Sequence, residues 1–340
     1  MCGICGFTGR RQDQKAVIEK MMKSIEHRGP DSEGSFCGGE ITLGFRRLSI
    51  IDLEDGQQPM ESADGSLHIV FNGEIYDYQE LREELETAGI TFRTHSDTEV
   101  LVNTLQQYGE KALDKLRGMF GFAVWNEKEQ TLMLARDFFG IKPVYYAQIG
   151  EHFVFASEIK SILAFPGYKR EVNQLALEQY LSFQYSPLEE TFFKGIYKLM
   201  PGHVLLYKDG KYKIKTYFQP RLTPGVLKIN KNESSQNTHR ESHLKNQKTG
   251  GKKAQTSNLQ SLQEQLSSVL EDSVKHHMLS DVEVGAFLSG GVDSGYLAAA
   301  SGADQAFTVG FDEGNRYNEV SKAAEVAKKA GLKHHVKIIS

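Results

Sequence analysis

The chain has few cysteines, no long apolar run and no excess of positive charge. Three cysteines among 340 residues, with no apolar segment behind Met1, argue against a disulfide-rich secreted domain and predict a cytoplasmic protein. No run approaches the ~18 apolar residues that a membrane helix needs, so we expect no membrane association. The formal net charge of -4 argues against a nucleic-acid-binding protein, which is usually basic.

The composition is that of an ordinary globular chain. Hydrophobic residues make up 39% of 340 residues, which leaves room for two domains of ~100 to 200 residues each. The pattern of short apolar runs, polar stretches and helical periodicity divides the chain into three segments.

The first segment, residues 2–220, alternates short β-like runs with amphipathic helical patterns. The predicted strands are 41–45, 67–71, 120–125, 131–135, 144–146, 153–156 and 203–207. The predicted helices are 16–25, 79–87, 97–108 and 173–183. This mixture predicts an α+β domain rich in antiparallel strands.

The second segment, residues 221–258, predicts a flexible basic linker. Between residues 226 and 253 it has seven Lys or Arg against two Glu, and large apolar side chains are almost absent after Ile229. Such a composition cannot bury enough surface to offset the entropy lost on ordering. A basic arm that binds nucleic acid is the alternative, which the lack of interleaved aromatic residues disfavours.

The third segment, residues 259–340, has helical periodicity over 259–278, 295–300 and 320–330. Short apolar runs at 282–288 and 306–311 predict buried strands between these helices. Alternating helices and apolar strands are typical of a parallel, doubly wound sheet. We therefore expect an α/β arrangement here.

Cys2 follows the initiator methionine directly, so removal of Met1 would place a thiol and a free α-amine on one residue. A thiol titrates near ~8.5 and an α-amine near ~7.7 to 8.0, so the amine can accept the proton of the thiol and assist acyl transfer. Cys2 and Cys5 also form a Cys-x-x-Cys pair, which in other contexts indicates a redox or zinc site. A third interpretation, which these first residues leave open, is that Cys2 occurs at this position by chance.

A second motif runs from Ser289 to Ser294 with the sequence Ser-Gly-Gly-Val-Asp-Ser, between a predicted strand and a predicted helix. Glycines permit close backbone approach, and the N–H groups of a helix N-terminus attract anions. The motif lacks the Gly-Lys-Ser/Thr ending of a Walker A loop. It predicts a pyrophosphate or nucleotide site.

Together, the motifs of the first and third segments resemble the glutamine-hydrolysing asparagine synthetases. The resemblance covers nearly everything except the linker, and it joins a class II amidotransferase module to an ATP-pyrophosphatase-type loop. The matching stretches are residues 1–6, 27–31, 47–52, 72–76, 96–99, 118–123, 136–145, 289–294 and 307–311. The family implies an N-terminal nucleophile (Ntn) amidotransferase domain with stacked antiparallel sheets, followed by the first part of a parallel-sheet synthetase domain.

The resemblance implies that the Cys2 thiolate attacks the side-chain amide of glutamine, releasing ammonia and then glutamate. Asn72, through its amide, and Gly73, through its backbone N–H, match the oxyanion hole of the family. Loss of one such donor typically costs ~10² to 10³ in rate. Taken alone, Asn-Gly is typical of a β-hairpin turn.

Three further residues match the family's glutamine clamp. Arg47 corresponds to the residue that binds the α-carboxylate, a task suited to a guanidinium, and Arg46 is expected on the other face of the strand. Glu74 and Asp97 correspond to groups at the amino end of the substrate. The stretch 96–99 also reads as a helix capping box, in which Asp97 complements the helix dipole, and both roles can hold together.

Other matched residues have no chemical role that the sequence supports. The stretch 27–31 predicts a rigid turn near the pocket. Cys5 and Cys37 are expected to be core thiols, and Lys142 is expected to be structural, in an extended stretch before Pro143.

In the third segment, the resemblance implies ATP binding with Mg²⁺ accompanying the phosphates, and no metal ligand from the protein. The family activates aspartate as an adenylate, which ammonia converts into asparagine with release of AMP. The ATP-binding residues are expected to be Leu288, Ser289, Gly290, Gly291, Val292, Asp293, Ser294 and Val309.

The chain departs from the family at its end. Only about 80 residues follow the predicted linker, and no counterpart of the aspartate-binding part is present. We therefore expect this polypeptide to hydrolyse glutamine without forming asparagine, and its open sheet suggests a homodimer. The alternatives are a β-lactam synthetase-like ligase and a non-catalytic interaction module.

Overall fold

The computed structural model describes residues 1–221, 250–312 and 318–339. These residues divide into two compact units, Met1–Gln219 and Pro220–Ser340. Each unit has its own sheets and hydrophobic core, and each is described by itself below.

The first unit contains two six-stranded antiparallel sheets. The first sheet has the order β10-β8-β9-β1-β3-β2, with β1 Gly3–Thr8, β2 Ser32–Cys37, β3 Ile41–Arg47, β8 Tyr145–Ile149, β9 His152–Ala156 and β10 Ile196–Lys198. The second has the order β12-β11-β7-β6-β5-β4, with β4 Met60–Glu61, β5 Leu67–Ile75, β6 Gly118–Asn126, β7 Thr131–Arg136, β11 His203–Lys208 and β12 Lys211–Thr216.

Five α-helices accompany these sheets. They are α1 Gln14–Ser24, α2 Tyr78–Thr87, α3 Asp97–Tyr108, α4 Ile159–Leu163 and α5 Gln174–Phe183. Short 3₁₀ helices occupy Glu26–Arg28 and Gly109–Asp114. The predicted helix over 97–108 is confirmed at both ends, and the predicted helix over 173–183 begins one residue later because Asn173 is its N-cap.

Three hydrophobic clusters show that the two sheets are stacked between helices. One cluster combines side chains of both sheets, such as Ile4 and Phe155 from the first with Val70 and Leu134 from the second. A second cluster packs the other face of the first sheet against α1 and α4. The third packs the second sheet against α2 and α3. The predicted α+β architecture with stacked antiparallel sheets is confirmed.

Several strands carry no clear periodic signal in the sequence, and they were not predicted. All six residues of β1 are buried, because its sheet is covered on both faces, so polar and apolar residues do not alternate. At the opposite extreme, β12 is mostly polar and lies at a sheet edge. The hydrophobic pattern therefore misses the buried strand β1 and the solvated edge strand β12.

The second unit has a three-stranded parallel sheet in the order β13-β14-β15. Its strands are β13 Ala286–Phe287, β14 Gln305–Phe311 and β15 Lys333–Ile339, and its helices are α6 Gly250–His277, α7 Val292–Ala300 and α8 Val320–Ala330. The parallel sheet is confirmed. The first predicted strand, 282–288, was too long, since only two residues pair with β14.

One face of this sheet is covered and the other is not. Ala306 of β14 packs with Ala298 of α7 and with Ala323 and Ala327 of α8. A sequential parallel order with right-handed crossovers places consecutive helices on the same face. On the other face Phe307, among others, is exposed, so the described residues are not doubly wound.

Helix α6 overlaps the predicted linker and carries the apolar stripe that the helical periodicity over 259–278 implies. Helix α6 begins at Gly250, inside the segment 221–258, and residues 222–249 lie outside the described residues. Of the predicted stripe, Val274 is buried, whereas Leu266 and Val269 are exposed. The described part of this stripe therefore does not face a core along its whole length.

Candidate active site

A small cavity of about 60 Å³ lies in the first unit beside Cys2. It is bordered by the start of β1, the end of β3 with the loop that follows, the second half of β5 and the first turn of α3. The lining side chains include Met1, Cys2, Arg47, Asn72, Gly73, Glu74, Asp97 and Lys142. The fold thus brings together all five predicted glutamine-binding positions and Cys2.

Cys2 is half-buried, and both its sulfur and its backbone are anchored. The Leu48 N–H donates to the sulfur at 3.4 Å, and the thiol in turn faces the Leu48 carbonyl at 3.5 Å. Nε of Arg28 donates to the Cys2 carbonyl at 2.8 Å. Burial raises the pKa of the Cys2 thiol, and the Leu48 N–H opposes that rise. Stabilising a thiolate here therefore requires further positive charge or a base.

The redox and metal readings of the Cys-x-x-Cys pair do not fit this geometry. Cys2 packs against the cluster between the two sheets, whereas Cys5 belongs to the cluster beneath α1. The two thiols point to opposite faces because side chains alternate along a strand. Cys5 is a core thiol, as predicted, with a pKa raised by burial to about 12. The same prediction for Cys37 was wrong, since Cys37 ends edge strand β2 and is exposed.

Asn72 and Gly73 lie within β5, so the hairpin-turn alternative is wrong. They pair with Gly121 and Phe120 of β6. The Asn72 side chain is 1% exposed, and its Nδ2 is buried without a hydrogen-bond partner. An unsatisfied buried donor costs free energy, and next to a nucleophile it can bind an anionic oxygen.

Gly73 permits a close approach between β5 and β6. A Cβ at this position would lie 2.1 Å from the Met119 carbonyl oxygen and 2.8 Å from Cα of Phe120. Both are backbone atoms that cannot turn away. Strand β5, which carries the two candidate oxyanion-binding residues, therefore requires glycine at this position.

Arg47 and Arg46 point in different directions at the end of β3. The Arg47 guanidinium lines the cavity and donates to the carbonyls of Leu53 at 3.1 Å and Ile51 at 3.3 Å, and also to that of Asp52. Arg46 instead donates to the Gly29 carbonyl at 3.0 Å and to Glu33, on the other side of the sheet. A substrate carboxylate would therefore meet a guanidinium that the following loop already holds in place.

Asp97 opens α3, and its carboxylate is buried at the cavity. Its Oδ2 accepts a hydrogen bond from the Ile75 N–H at 3.1 Å. Burial raises the pKa of Asp97 to about 7, with the Ile75 hydrogen bond opposing and the Glu74 charge adding to the shift. Asp97 is thus an acid whose charge changes near neutral pH.

The predicted capping box is only half formed. The Ser96 hydroxyl accepts from the Thr98 N–H at 3.2 Å and caps α3. Glu99 does not reciprocate, since its carboxylate accepts from the Arg93 and Thr94 N–H groups. The helix is therefore capped, and Asp97 remains available to the cavity.

The turn over residues 27–31 fixes two walls of the cavity. Arg28 bonds the Cys2 carbonyl, and its Nη1 donates to Glu158 at 3.1 Å. Asp31 accepts from the Ser49 N–H at 2.8 Å and so holds the loop after β3. These contacts agree with the prediction of a rigid turn beside the pocket.

Lys142, which the sequence analysis expects to be structural, also borders the cavity. Its side chain is 6% exposed and lines the cavity with Cys2. The available signal was its place in the matched stretch 136–145, where Asp137 anchors the backbone by accepting from the Ile141 and Lys142 N–H groups, both at 2.8 Å.

In the second unit, the stretch 289–294 forms the predicted connection between β13 and α7. The Ser289 and Ser294 hydroxyls are 2.9 Å apart, and Gly291 is the N-cap of α7 with no side-chain cap. Gly290 has a φ of +76°. Gly291, Val292 and Asp293 are exposed, whereas Leu288 is buried. The N-terminal amides of α7 therefore face outward in a form suited to an anion.

Val309 lies two residues before the end of β14 and is half-exposed. Across residues 1–221, 250–312 and 318–339 no group of three or more His, Cys, Asp or Glu side chains could hold a metal ion. None of the helices in these ranges is long and apolar enough to span a membrane.

Two protein-family models match this chain, one in each unit. The family model described as "Glutamine amidotransferase domain" matches residues 1–218, and the model described as "Asparagine synthase" matches residues 265–340. A solved structure described as the allosteric regulatory enzyme of purine biosynthesis aligns with a TM-score of 0.50 at 16% identity, covering 99% of this chain and 80% of that one. At that identity the likeness shows the fold alone.

Curated relatives extend the similarity to nearly the whole chain. Asparagine synthetase [glutamine-hydrolyzing] 1 of Bacillus subtilis (strain 168) is 40% identical over 350 residues, or 99% of this chain and 50% of that protein. A putative asparagine synthetase [glutamine-hydrolyzing] 2 of Methanocaldococcus jannaschii is 32% identical over 98% of this chain and 64% of its own length. The chain spans about half the length of the first of these relatives. The chain therefore belongs to the glutamine amidotransferase family, and its similarity to the glutamine-hydrolysing asparagine synthetases runs through both units.

Proposed function

We propose that the first unit hydrolyses the side-chain amide of glutamine at Cys2. The observation that carries this proposal is the buried, unpartnered Nδ2 of Asn72 in the same cavity as the Cys2 thiol. A nucleophile beside an unsatisfied donor is the arrangement that acyl transfer requires, since the donor gains its partner only when the oxyanion forms.

The reaction proceeds through a thioester. The Cys2 thiolate attacks the amide carbon of glutamine, and the carbonyl oxygen becomes an oxyanion bound by Asn72 Nδ2 and the Gly73 N–H. A proton passes to the amide nitrogen, the C–N bond breaks, and ammonia leaves. Water then attacks the γ-glutamyl thioester, which releases glutamate and restores the thiol.

The base is the α-amine that removal of Met1 would create on Cys2. In the chain that retains Met1, burial lowers the pKa of the Met1 amine, the Cys2 charge opposes that shift, and Lys142 and Arg28 add to it. A shift in the same direction on the Cys2 amine would leave more of it neutral and able to accept the thiol proton. Met1 also lines the cavity, so its removal enlarges the space for glutamine.

The remaining cavity groups suit the charged end of glutamine. Arg47 binds the α-carboxylate through the guanidinium hydrogens that the loop carbonyls leave unused. Asp97 and Glu74 place negative charge near the α-ammonium. This arrangement assigns each charge of the substrate an opposite charge within one cavity.

For the second unit we propose ATP binding at residues 289–294, with Leu288 and Val309 contacting the nucleotide. The α7 N-terminus and the paired hydroxyls of Ser289 and Ser294 suit a pyrophosphate group. In the asparagine synthetases that this chain resembles, ATP activates the side chain of aspartate, and ammonia converts it to asparagine with release of AMP and pyrophosphate. For the described residues we propose only the nucleotide site, and we do not assign asparagine formation to them. The described residues supply no carboxylate cluster for Mg²⁺, so no step is assigned to that ion.

The glutaminase proposal is tested with the purified chain. After mass spectrometry has established that Met1 is absent, glutamate release from glutamine is measured for the unaltered chain, Cys2→Ala and Asn72→Ala. We expect Cys2→Ala to abolish turnover and Asn72→Ala to lower kcat by about 10² to 10³ with little change in KM. Cys37→Ala is the control, because its thiol is exposed and outside the cavity.

Two outcomes would contradict the proposal. One is the absence of glutamate formation by a processed, folded chain, as a β-lactam synthetase-like ligase or an interaction module would give. The other is full activity in Cys2→Ala. Supplying aspartate and ATP to the same preparation, and measuring AMP and asparagine, tests the second unit separately.

A further inference from the structure

Hydrogen bonds within residues 136–142 hold the backbone of Lys142 in place beside the cavity. Its N–H donates to Asp137 Oδ2 at 2.8 Å, and its carbonyl accepts from Arg136 Nε at 2.9 Å. Asp137 is fully buried and also accepts from the Phe120 N–H of β6 at 3.2 Å. The backbone of Lys142 is therefore fixed to the central sheet, and its side chain has little freedom to leave the cavity.

The ammonium group of Lys142 forms no direct ion pair within residues 1–221, and its main charge interaction there is with the carboxylate of Glu74. The side chain is 6% exposed, yet no ion pair joins it to an acid of the described chain, unlike the buried Arg28, which pairs with Glu158. Burial of an unpaired charge is costly. A lysine kept in that state beside a nucleophile is a candidate for a role in the reaction.

The other cationic side chains near Cys2, Arg47 in the cavity lining and Arg28 outside it, already make other contacts. The Arg47 guanidinium is held by three loop carbonyls and faces the proposed α-carboxylate site. Arg28 is committed to the Cys2 carbonyl and Glu158. Glu74 and Asp97 add negative charge to the same cavity, which opposes formation of a thiolate. Arg47 and Lys142 are the cationic side chains among the described lining residues, and the charged group of Lys142 is the one that no loop carbonyl holds.

We propose that Lys142 stabilises the Cys2 thiolate, and so sets the fraction of the enzyme that is ready to attack glutamine. This role rests on the proposed glutaminase reaction. It is an electrostatic role, in which the ammonium offsets the negative charge that appears on sulfur and the proton of the thiol goes to the α-amine.

The charges around Lys142 are consistent with this role. Burial lowers the pKa of Lys142, the carboxylate of Glu74 and the thiolate of Cys2 raise it, Arg28 lowers it and Asp137 raises it. In the chain that retains Met1, the charge of Lys142 also lowers the pKa of the Met1 amine. The interaction of Lys142 with Cys2 is therefore one of opposite charges, favourable only when the sulfur is ionised.

The test measures the ionisation of Cys2 without turnover. The rate of Cys2 alkylation by iodoacetamide is followed by mass spectrometry from pH 5 to pH 10 in the full chain from which Met1 is absent. We expect Lys142→Met to move the midpoint upward by about one pH unit and to lower kcat/KM for glutamine about tenfold near pH 7. Lys142→Arg retains the charge and should restore the midpoint most of the way.

Lys198→Met is the matched control, since Lys198 is half-buried in the same unit, does not line the cavity, and donates to the Ser186 carbonyl at 2.9 Å. It should leave the alkylation midpoint unchanged. Thermal unfolding of every variant establishes that the fold is retained. Lys142→Gln serves as a second neutral variant.

An unchanged midpoint in a folded Lys142→Met or Lys142→Gln chain would overturn the proposal. So would unfolding of both neutral variants while Lys142→Arg folds, because the charge would then serve the fold. The two proposals fail in different ways. A chain that does not hydrolyse glutamine but shows the midpoint shift refutes the glutaminase, whereas normal turnover with no shift refutes the role of Lys142.

Discussion

Asn72 and Asp97 are both polar, both almost fully buried, and both placed on the same cavity. Asn72 has a donor with no acceptor, and Asp97 has a carboxylate that burial makes hard to ionise. Neither arrangement helps the chain to fold, because each leaves a polar group poorly satisfied. Buried polar residues that do not help the chain to fold are expected at functional sites, where the residue that function requires differs from the residue that would stabilise the fold most.

We expect Asp97→Asn to stabilise the fold above neutral pH. The pKa of Asp97 is about 7 in the folded chain against 3.8 as the ordinary value, so between these pH values the folded chain holds a proton that the unfolded chain releases. Stability therefore falls as pH rises from about 4 to about 7 and stays lower above that. Asn removes this loss, which is at most about 1.4 kcal/mol per unit of pKa shift.

Urea unfolding of both chains from pH 5 to pH 8 measures the effect. The difference in unfolding free energy should grow with pH in favour of Asp97→Asn, and a constant difference would show that burial does not hold the Asp97 proton. Since a protonated Asp97 cannot pair with an ammonium, KM for glutamine in the unaltered chain should also rise below pH 7.

At the scale of elements, β5 and the turn between β13 and α7 each carry a predicted motif. The sequence predicted β5 only as 67–71, because the apolar run ends there and Asn-Gly is typical of a turn. The structure continues the strand to Ile75, since Gly73 allows β6 to approach and β6 supplies the pairing partners. Tertiary pairing thus overrides the local turn signal.

Gly290→Ala should abolish or strongly weaken ATP binding. Gly290 has a φ of +76°, and an added Cβ would lie 2.7 Å from Cβ of Lys322 and 2.9 Å from the Ala323 nitrogen. The strain and the contact with α8 would displace the loop from the α7 N-terminus. Calorimetric titration of the full chain with ATP should show affinity reduced by tenfold or more, a change of about 1.4 kcal/mol.

Gly295→Ala provides the comparison. It lies inside α7, its nearest contact would be Val326 Cγ1 at 3.4 Å, and alanine favours the helix by about 1 kcal/mol. This variant should bind ATP as the unaltered chain does. Equal ATP affinity in Gly290→Ala, or no binding by the unaltered chain, would count against a nucleotide site at residues 289–294.

At the scale of the whole molecule, the two units differ in how completely they bury their apolar surface. All three large clusters of the first unit are formed within residues 1–219. Among the described residues of the second unit one cluster is formed, Phe287 is 84% exposed, and no described side chain packs a core against the Phe307 face of the sheet. Parallel sheets are normally buried on both faces.

We expect residues 1–219 to fold and act alone. Because the cores and the whole candidate active site lie inside this unit, a chain ending at Gln219 should unfold cooperatively and hydrolyse glutamine with the kcat/KM of the full chain. Circular dichroism during heating and the glutamate assay measure both properties. A Cys2→Ala version of the same fragment is the control, and an aggregated or inactive fragment with normal Met1 removal would refute the expectation.

The sequence by itself determined the local secondary-structure elements and the candidate functional residues of this protein. Helix 97–108 followed from its cap and its periodicity, and Cys2 and the stretch 289–294 stood out by their residue types and positions. These are local properties, fixed by a few neighbouring residues. The stretch 72–74 was identified only through the resemblance to the asparagine synthetases, since Asn-Gly by itself is typical of a turn.

Only the tertiary structure decided which of these residues share a cavity and what burial does to them. Cys2 and Asn72 lie 70 positions apart and meet because two sheets stack through one core. The burial of Lys142, the raised pKa of Asp97 and the exposure of Cys37 likewise depend on which strands are central, edge or covered. Burial and electrostatics are set by atoms distant in the chain, so no local pattern could have predicted them.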